Sequence, residues 1–176
     1  MSDLGVVERR EVPPEGWVGA VTQARDAAYG FFDWLTAVDQ TDDAQAPGLD
    51  VVCHLLDATT PRALRRILIR TRVPNGDSLA SITGVFRGAA WHERETHEMF
   101  GLDFEGFDDG TGLGLRPLLL PDGFEGTPLR KSFVLAARAS KAWPGAKEPG
   151  ESEHSKPTGR RRVSAPGVPG PEWGPR

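Results

Sequence analysis

The chain has 176 residues, enough for one domain with a substantial hydrophobic core, and it carries a formal net charge of −4 with an isoelectric point near 5.6. That charge argues against a nucleic-acid-binding domain, which is normally basic, and no apolar run reaches the roughly 20 residues that a membrane-spanning helix needs. The single cysteine, Cys53, excludes an internal disulfide and an iron–sulfur cluster held by this chain alone through four cysteines.

The beginning of the chain predicts a loose arm followed by a helix. Residues 1–16 are polar and contain two adjacent prolines, which is typical of an arm that does not pack. Apolar residues then recur at helical spacing from Trp17 to Tyr29, and Gly30 follows as a stop signal.

Three strands are predicted next, with short connections. Alternating apolar residues indicate strands over residues 31–38, 49–56 and 63–73, and a polar loop over residues 41–48 separates the first two. In the third strand the arginines fall on one face, which is therefore expected to meet water. Cys53 lies in the second strand and is expected to be a small core residue. Sequential strands with short links are most simply an antiparallel meander covered by helices.

Two helices are predicted after a turn at residues 74–77. Ser78 or Ser81 is a candidate cap for the first, whose apolar stripe consists of Leu79, Ile82, Val85 and Phe86. The second helix spans residues 89–100, is polar on every side, and ends at Gly101. The predicted fold class is therefore α+β, with two layers, a mainly antiparallel sheet covered by helices, and an extended irregular C-terminal tail.

The composition changes after about residue 140. Residues 141–176 hold seven of the 15 prolines, show no periodicity, and carry seven cations and four anions, so that residues 1–140 carry −7 of the total. Such a tail buries too little apolar surface to order itself. The sequence thus predicts an arm (1–16), a domain (17–140) and a tail (141–176) that is disordered or lies along a partner.

Acidic and basic residues of the domain are concentrated in two separate segments. The polar helix carries Glu93, Glu95 and Glu98, with Arg94 four residues before Glu98 and able to pair with it. A turn-rich run then leads to the cations Arg130 and Lys131. We expect a charge-paired junction between the two segments, in which Arg130 is buried against a glutamate, with Glu95 the favoured partner because it shares a helix face with Trp91.

Five ordered motifs in this region resemble the C subunit family, the 30-kilodalton subunit family, of bacterial NADH–quinone oxidoreductase, which is respiratory complex I. The resemblance covers roughly residues 30–135, and includes upstream Leu35–Asp39. The motifs are Glu93-Arg94-Glu95, Met99-Phe100-Gly101, Leu118-Leu119-Leu120-Pro121-Asp122, Phe124-Glu125-Gly126 and Pro128-Leu129-Arg130-Lys131. Departures occur at His97, Glu98, Thr127 and Ser132, in the glycine-rich run 107–115, and in the tail.

The resemblance implies a structural subunit without redox chemistry of its own. Such a subunit sits in the hydrophilic arm of a proton-pumping complex, against the quinone-site subunit (the D or 49-kilodalton type), peripheral to the cytoplasmic side of the cell membrane. It implies no cofactor in this chain, with FMN, iron–sulfur clusters, NADH and quinone on other subunits. Nucleic acid is not an expected partner, and membrane contact is expected only through the complex. The implied interface or ion-pair residues are Glu93, Arg94, Glu95, Glu98, Arg130 and Lys131.

Two other functions stay open at this point. One is the equivalent subunit of a membrane-bound hydrogenase-type complex, which neighbouring genes would distinguish. The other is a freestanding metal-dependent hydrolase that uses Glu93 and His97, which lie four residues apart on one helix face. The hydrolase is disfavoured because His92 and His97 are five residues apart, whereas zinc-protease helices place histidines four apart.

Overall fold

The computed structural model describes residues 7–60 and 63–134. Its described elements are β1 (Val7–Glu11), a short 3₁₀ turn (Pro14–Gly16), α1 (Trp17–Asp26), β2 (Phe31–Gln40), β3 (Gly48–Asp57), β4 (Arg65–Pro74), β5 (Leu79–Ala80), α2 (Ala89–Phe100) and β6 (Phe104–Glu105). None of the helices among these residues is long and apolar enough to cross a membrane. The predicted tail lies outside the described residues.

Four strands form a mixed sheet in the order β1-β4-β3-β2. The antiparallel meander of β2, β3 and β4 is confirmed, and so is the α+β class. Gly48 is required at the start of β3, because a Cβ there would lie 2.2 Å from the carbonyl oxygen of Val73 on the neighbouring strand. The strands therefore approach each other too closely at this point for any side chain.

The remaining strand of the sheet, β1, lies in the segment that was predicted to be a loose arm, so that prediction is wrong for residues 7–11. Residues 7–11 form β1, which pairs in parallel with the outer edge of β4. The sequence Val-Glu-Arg-Arg-Glu has no apolar alternation, because an edge strand whose side chains meet water needs none. Backbone pairing with β4 therefore orders a segment that hydrophobic pattern cannot reveal.

The core lies between one face of the sheet and the two helices. Cys53 is fully buried there, as predicted. Helix α1 is confirmed but ends at Asp26 rather than Tyr29, since Ala28 already takes a left-handed conformation with φ of 79°. The core side chains come from the helices and from alternate positions of β2, β3 and β4: Trp17, Val21, Leu35, Ala37, Val51, Cys53, Leu55, Ile67, Ile69, Val73, Ala89 and Phe100.

The predicted helix around residues 79–86 is wrong. Leu79 and Ala80 instead form β5, which pairs in parallel with β6 directly after α2. Leu79 and Ile82 are buried, so the apolar spacing is real, but it arises from a short strand followed by a turn. Helix α2 is confirmed over residues 89–100, and Gly101 ends it with φ of 71° and an N–H bond to the carbonyl of His97. Contrary to the prediction, it is not free of a buried face, because Ala89, Glu93, Thr96 and Phe100 are buried.

Candidate functional site

The candidate site is the junction between α2 and the segment that follows β6. We call residues 107–134 the return segment; they contain no helix or strand. Polar side chains of α2 and of the end of β2 bind its backbone at several points, and two of its apolar side chains, Phe107 and Leu115, pack against the core. Of the six residues expected at the interface, Arg94, Glu98, Arg130 and Lys131 take part in contacts at this junction, whereas Glu93 and Glu95 do not.

Glu93 faces the interior of the domain. Its side chain is fully buried, with Oε1 accepting a hydrogen bond from the N–H of Ile82 and Oε2 accepting one from the Ser81 hydroxyl, both at 2.7 Å. Burial raises the pKa of Glu93 from 4.5 to about 7, although these two hydrogen bonds oppose the rise. Glu93 therefore anchors the turn after β5 to α2, and it is not exposed for a charge-paired junction.

Arg94 and Glu98 both bind the backbone of the return segment. Arg94 donates to the carbonyls of Arg116, at 3.1 Å, and Pro117, at 2.6 Å. Glu98 accepts three successive backbone N–H groups at 2.8–3.1 Å, from the residues Leu118, Leu119 and Leu120. Arg94 and Glu98 therefore do not bind each other as predicted, but bind adjacent backbone groups of the return segment.

The three N–H donors also set the protonation of Glu98. Burial raises its pKa, but the donors, helped by the positive charge of Arg94, outweigh burial and hold the pKa below the ordinary value of 4.5. Glu98 is therefore an anion at neutral pH. An anion is the form that accepts all three N–H groups best.

Arg130 does not pair with Glu95, and that prediction is wrong. Arg130 Nε donates to the carbonyl of Phe100 at the end of α2, at 2.6 Å, and its guanidinium donates to the side chain of Asn75 at 3.0 Å. Its nearest carboxylate is Asp39, at 3.9 Å. Glu95 forms no hydrogen bond or ion pair with any residue in the described part of the chain.

Asp39, at the end of β2, is the acid that holds this part of the return segment. It accepts the backbone N–H of Lys131 at 2.7 Å, and its other oxygen accepts the N–H and the hydroxyl of Thr41. Burial raises the pKa of Asp39, but the hydrogen bonds from Thr41 and Lys131 outweigh it and lower the pKa below 3.8. The ammonium of Lys131 pairs instead with exposed Asp42, at 3.1 Å.

Sequence reasoning missed Asp39, although a signal for it was present. On the alternation of β2 it falls on the same side as Leu35 and Ala37, which are core residues. A buried carboxylate needs hydrogen-bond donors, and here Thr41 supplies two of them and Lys131 of the return segment supplies the third.

The proposed hydrolase pair does not converge on one point. The Nδ1 of His97 lies 3.1 Å from the carbonyl of Leu102 and 3.1 Å from Asp103, whereas Glu93 binds the turn after β5. Within residues 7–60 and 63–134, no group of three or more His, Cys, Asp or Glu side chains is placed to hold a metal ion.

Several large apolar side chains of α2 and the return segment are exposed. Trp91, Leu119 and Leu129 are each more than half exposed, and Phe124 is 40% exposed. A cleft of about 330 Å³ at the junction is lined by residues that include Leu115, Leu120 and Phe124. We call Trp91, Leu119, Phe124 and Leu129 the exposed apolar group. Because hydrogen bonds to the backbone hold the return segment, these side chains are not needed to pack it down.

Comparison with known proteins finds a family model and related proteins. The family model described as the respiratory-chain NADH dehydrogenase 30 Kd subunit matches residues 10–139. A protein of Mesorhizobium japonicum, named as the C subunit of NADH-quinone oxidoreductase, is 40% identical over 125 residues, which is 70% of this chain and 58% of that protein. A protein of Rhizobium meliloti, named as C subunit number 1 of the same enzyme, is 38% identical over 122 residues, 69% of this chain and 57% of that protein.

A solved structure shares the fold. It is a trypsin-resistant fragment (1-134) of Nqo5, with a TM-score of 0.53, 23% identity, and coverage of 62% of this chain and 86% of that one. The curated relatives are longer proteins, since this chain spans less than three fifths of the length of each of the two.

Proposed function

The chain belongs to the 30-kilodalton subunit family of the respiratory-chain NADH dehydrogenase, and from this premise we propose that it is a structural subunit of the hydrophilic arm of a proton-pumping NADH–quinone oxidoreductase. In this role the chain carries no electrons itself. It holds neighbouring subunits in place, while FMN, iron–sulfur clusters, NADH and quinone are bound by other subunits.

Besides family membership, one structural observation supports this proposal: the way in which the return segment is held against α2. Glu98, Arg94 and Asp39 hold an irregular backbone in one conformation through hydrogen bonds. That backbone presents exposed leucines instead of burying them. A preorganised surface with exposed large apolar side chains is a typical protein-binding surface, because ordering costs are met before the partner arrives.

We propose that the partner at this surface is the quinone-site subunit of the D or 49-kilodalton type. The chain then lies at the cytoplasmic side of the cell membrane as a peripheral component, and contacts the membrane only through the complex. The exposed apolar group would form the dry centre of the interface.

The test is purification of the full chain, tagged, from membranes of its own host in mild detergent, with mass spectrometry of its partners. We expect the flavin, iron–sulfur and quinone-site subunits of an NADH–quinone oxidoreductase in fixed ratio to the chain. Recovery of nickel-site hydrogenase subunits, or of the chain alone, would contradict the proposal.

A pair of variants tests the surface itself. Leu119→Asp combined with Leu129→Asp puts charge at the exposed apolar group, and should lower the yield of the quinone-site subunit at least about tenfold because a buried charge is costly at an interface. Leu113→Asp is the matched control, since Leu113 is at least as exposed but lies in the glycine-rich run. Equal yields from both variants would exclude this surface.

A further inference from the structure

The sheet has a second face, opposite to the core, that no described helix covers. The register of the strands sets its side chains in three rows across the sheet. From β2 to β1 these rows are Phe31, Leu56, Arg66 and Val7; then Trp34, His54, Leu68 and Arg9; then Thr36, Val52, Arg70 and Glu11. We call these three rows the open face. Apolar and aromatic side chains predominate on its β2 and β3 half, and arginines on its β4 and β1 half.

The end of the sheet next to the open face is already occupied by the β2–β3 loop. Arg72 donates to the carbonyl of Ala46 in that loop, and also pairs with Asp50 at 2.6 Å and Asp43 at 3.3 Å. Arg70 pairs with Asp50 and Glu11. The loop and its ion pairs stop there and do not extend over the first two rows.

The apolar half of the open face contains a stacked pair of aromatic rings. Trp34 stacks on His54, with ring centroids 5.3 Å apart and an angle of 28° between the planes. Asp33 fixes the histidine from the side, with 2.7 Å between Oδ2 and Nδ1. Trp34 and its row neighbour Leu68 are only partly buried, and neither belongs to the hydrophobic side chains that pack against the core.

The arginine half carries positive charge that the rest of the described chain leaves unmatched. Arg9 is exposed and Arg66 partly exposed, and neither lies within 4.0 Å of a carboxylate of residues 7–60 or 63–134. Arg66 is paired with Leu56 across the sheet and Arg9 with Leu68, so each arginine has an apolar residue beside it in its row. Tryptophan and arginine are the residue types that most often dominate binding energy in protein interfaces.

We infer that the open face binds an acidic segment of a neighbouring protein subunit, whose carboxylates pair with Arg9 and Arg66 and whose apolar side chain lies on Trp34. Arginine favours this occupant, because its planar fork binds carboxylates with two parallel hydrogen bonds. The inference rests on the proposed function, in which the chain joins several subunits. It adds a second interface, on the side of the sheet opposite to α2 and the return segment.

The first test is charge reversal in the full chain within its complex. Arg9→Glu combined with Arg66→Glu should lower recovery of one neighbouring subunit about tenfold and leave the exposed apolar group's partner bound. The melting temperature of the free chain should stay unchanged, since neither arginine forms an ion pair with a carboxylate of residues 7–60 or 63–134. Arg87→Glu is the matched control, because Arg87 is also exposed and lies in the turn before α2. Recovery equal to that of the control would overturn the inference.

The second test identifies the occupant. A photocrosslinking amino acid placed at Thr36, which is exposed in the third row, should attach in the complex to a peptide of another subunit with net negative charge. The crosslink should disappear in the charge-reversal variant. Attachment to a neutral or basic peptide, to lipid, to a second copy of this chain or to this chain itself would overturn the inference. If wild-type chain fails to recover any NADH–quinone oxidoreductase subunit, the proposed function fails; if it recovers them while the open-face variants behave like the control, only this inference fails.

Discussion

The sheet and the return segment are ordered by different forces. In the sheet, alternate side chains such as Leu35, Val51 and Ile69 are fully or almost fully buried in one apolar core. In the return segment most side chains stay partly or fully exposed, and the backbone is held by single charged side chains, chiefly Glu98 and Asp39. The first region gains stability from many small apolar contacts, and the second from a few hydrogen bonds, each of which matters more.

The same contrast appears within α2, between two glutamates five residues apart. Glu93 points to the core and has a pKa raised to about 7, whereas Glu98 points to the return segment and has a pKa lowered by its three N–H donors even though burial opposes this. A carboxylate is therefore costly in one region and stabilising in the other. Variants of the two regions should respond oppositely to pH.

The largest expected effect is that of Asp39→Ala. The change removes the acceptor of three hydrogen bonds from Thr41 and Lys131, and should lower the free energy of unfolding by roughly 3 kcal/mol because hydrogen bonds to a charged, buried carboxylate are among the stronger ones. Denaturant titration of the full chain measures this. Asp42→Ala is the control, since its exposed ion pair with Lys131 is worth less than about 1 kcal/mol. Similar losses in both variants would contradict the anchoring role.

The next effect is the pH dependence that Glu93 confers. Its pKa is raised in the folded chain, so the folded state binds more protons than the unfolded state between pH 4.5 and about 7, and stability falls as pH rises through that window. Glu93→Gln keeps an acceptor for the N–H of Ile82 and should remove this fall, which is on the order of 3 kcal/mol. Melting curves from pH 4 to pH 8 provide the comparison. A variant that keeps the wild-type slope would show that Glu93 is not the group responsible.

A smaller effect is expected for Arg130→Ala, which removes the donor to the last carbonyl of α2 and should cost about 1 to 2 kcal/mol. Arg130→Lys should lose less stability than Arg130→Ala, because lysine keeps a positively charged donor. It should not reach the wild-type stability, because lysine lacks the planar fork of arginine. In a double-mutant cycle, Arg130→Ala should be coupled to Asp39→Asn and additive with Glu95→Gln to within about 0.5 kcal/mol. Clear coupling to Glu95 would restore the pair expected from the sequence.

The smallest effect is expected for Glu95→Gln alone. Glu95 has no hydrogen-bond or ion-pair partner among the described residues, so the variant should change the free energy of unfolding by less than about 0.5 kcal/mol. Thermal melting at neutral pH is sufficient to check this. A loss comparable to that of Asp39→Ala would mean that a contact of Glu95 stabilises the domain.

Periodicity predicted the region that apolar burial orders, and failed where polar contacts order the chain. The meander and α1 follow from alternation and helical spacing, which report directly on a buried face, whereas α2 was predicted as a helix that is polar on every side and ends at Gly101. Strand β1 has no such pattern, and the spacing of Leu79 and Ile82 fits a buried turn as well as a helix. Which acid lies near Arg130 depends on how the return segment folds back to β2. A local sequence pattern cannot predict a contact between residues so far apart in the chain.

Of the predicted junction, the structure shows that the two charged segments are neighbours, but not the charge pairing expected between their side chains. The charged helix and the Arg130-Lys131 motif do lie together, as the two charged segments suggested. The sequence could not show that Arg94 and Glu98 bind backbone groups instead of each other. Every residue type has a backbone carbonyl and nearly every one has an N–H, so the sequence does not mark where such partners lie. Asp39 was recognisable only as a carboxylate on the core side of a strand.

The most direct test of the account measures whether the return segment is preformed and whether that matters for assembly. Hydrogen exchange on the free, full chain should show protection of the backbone amides of Leu118, Leu119 and Leu120, which donate hydrogen bonds to Glu98. Glu98→Ala should abolish this protection and, in the host, reduce the amount of quinone-site subunit recovered with the chain. Free exchange of these amides in the wild type, or undiminished recovery when their protection is lost, would contradict a preformed docking surface.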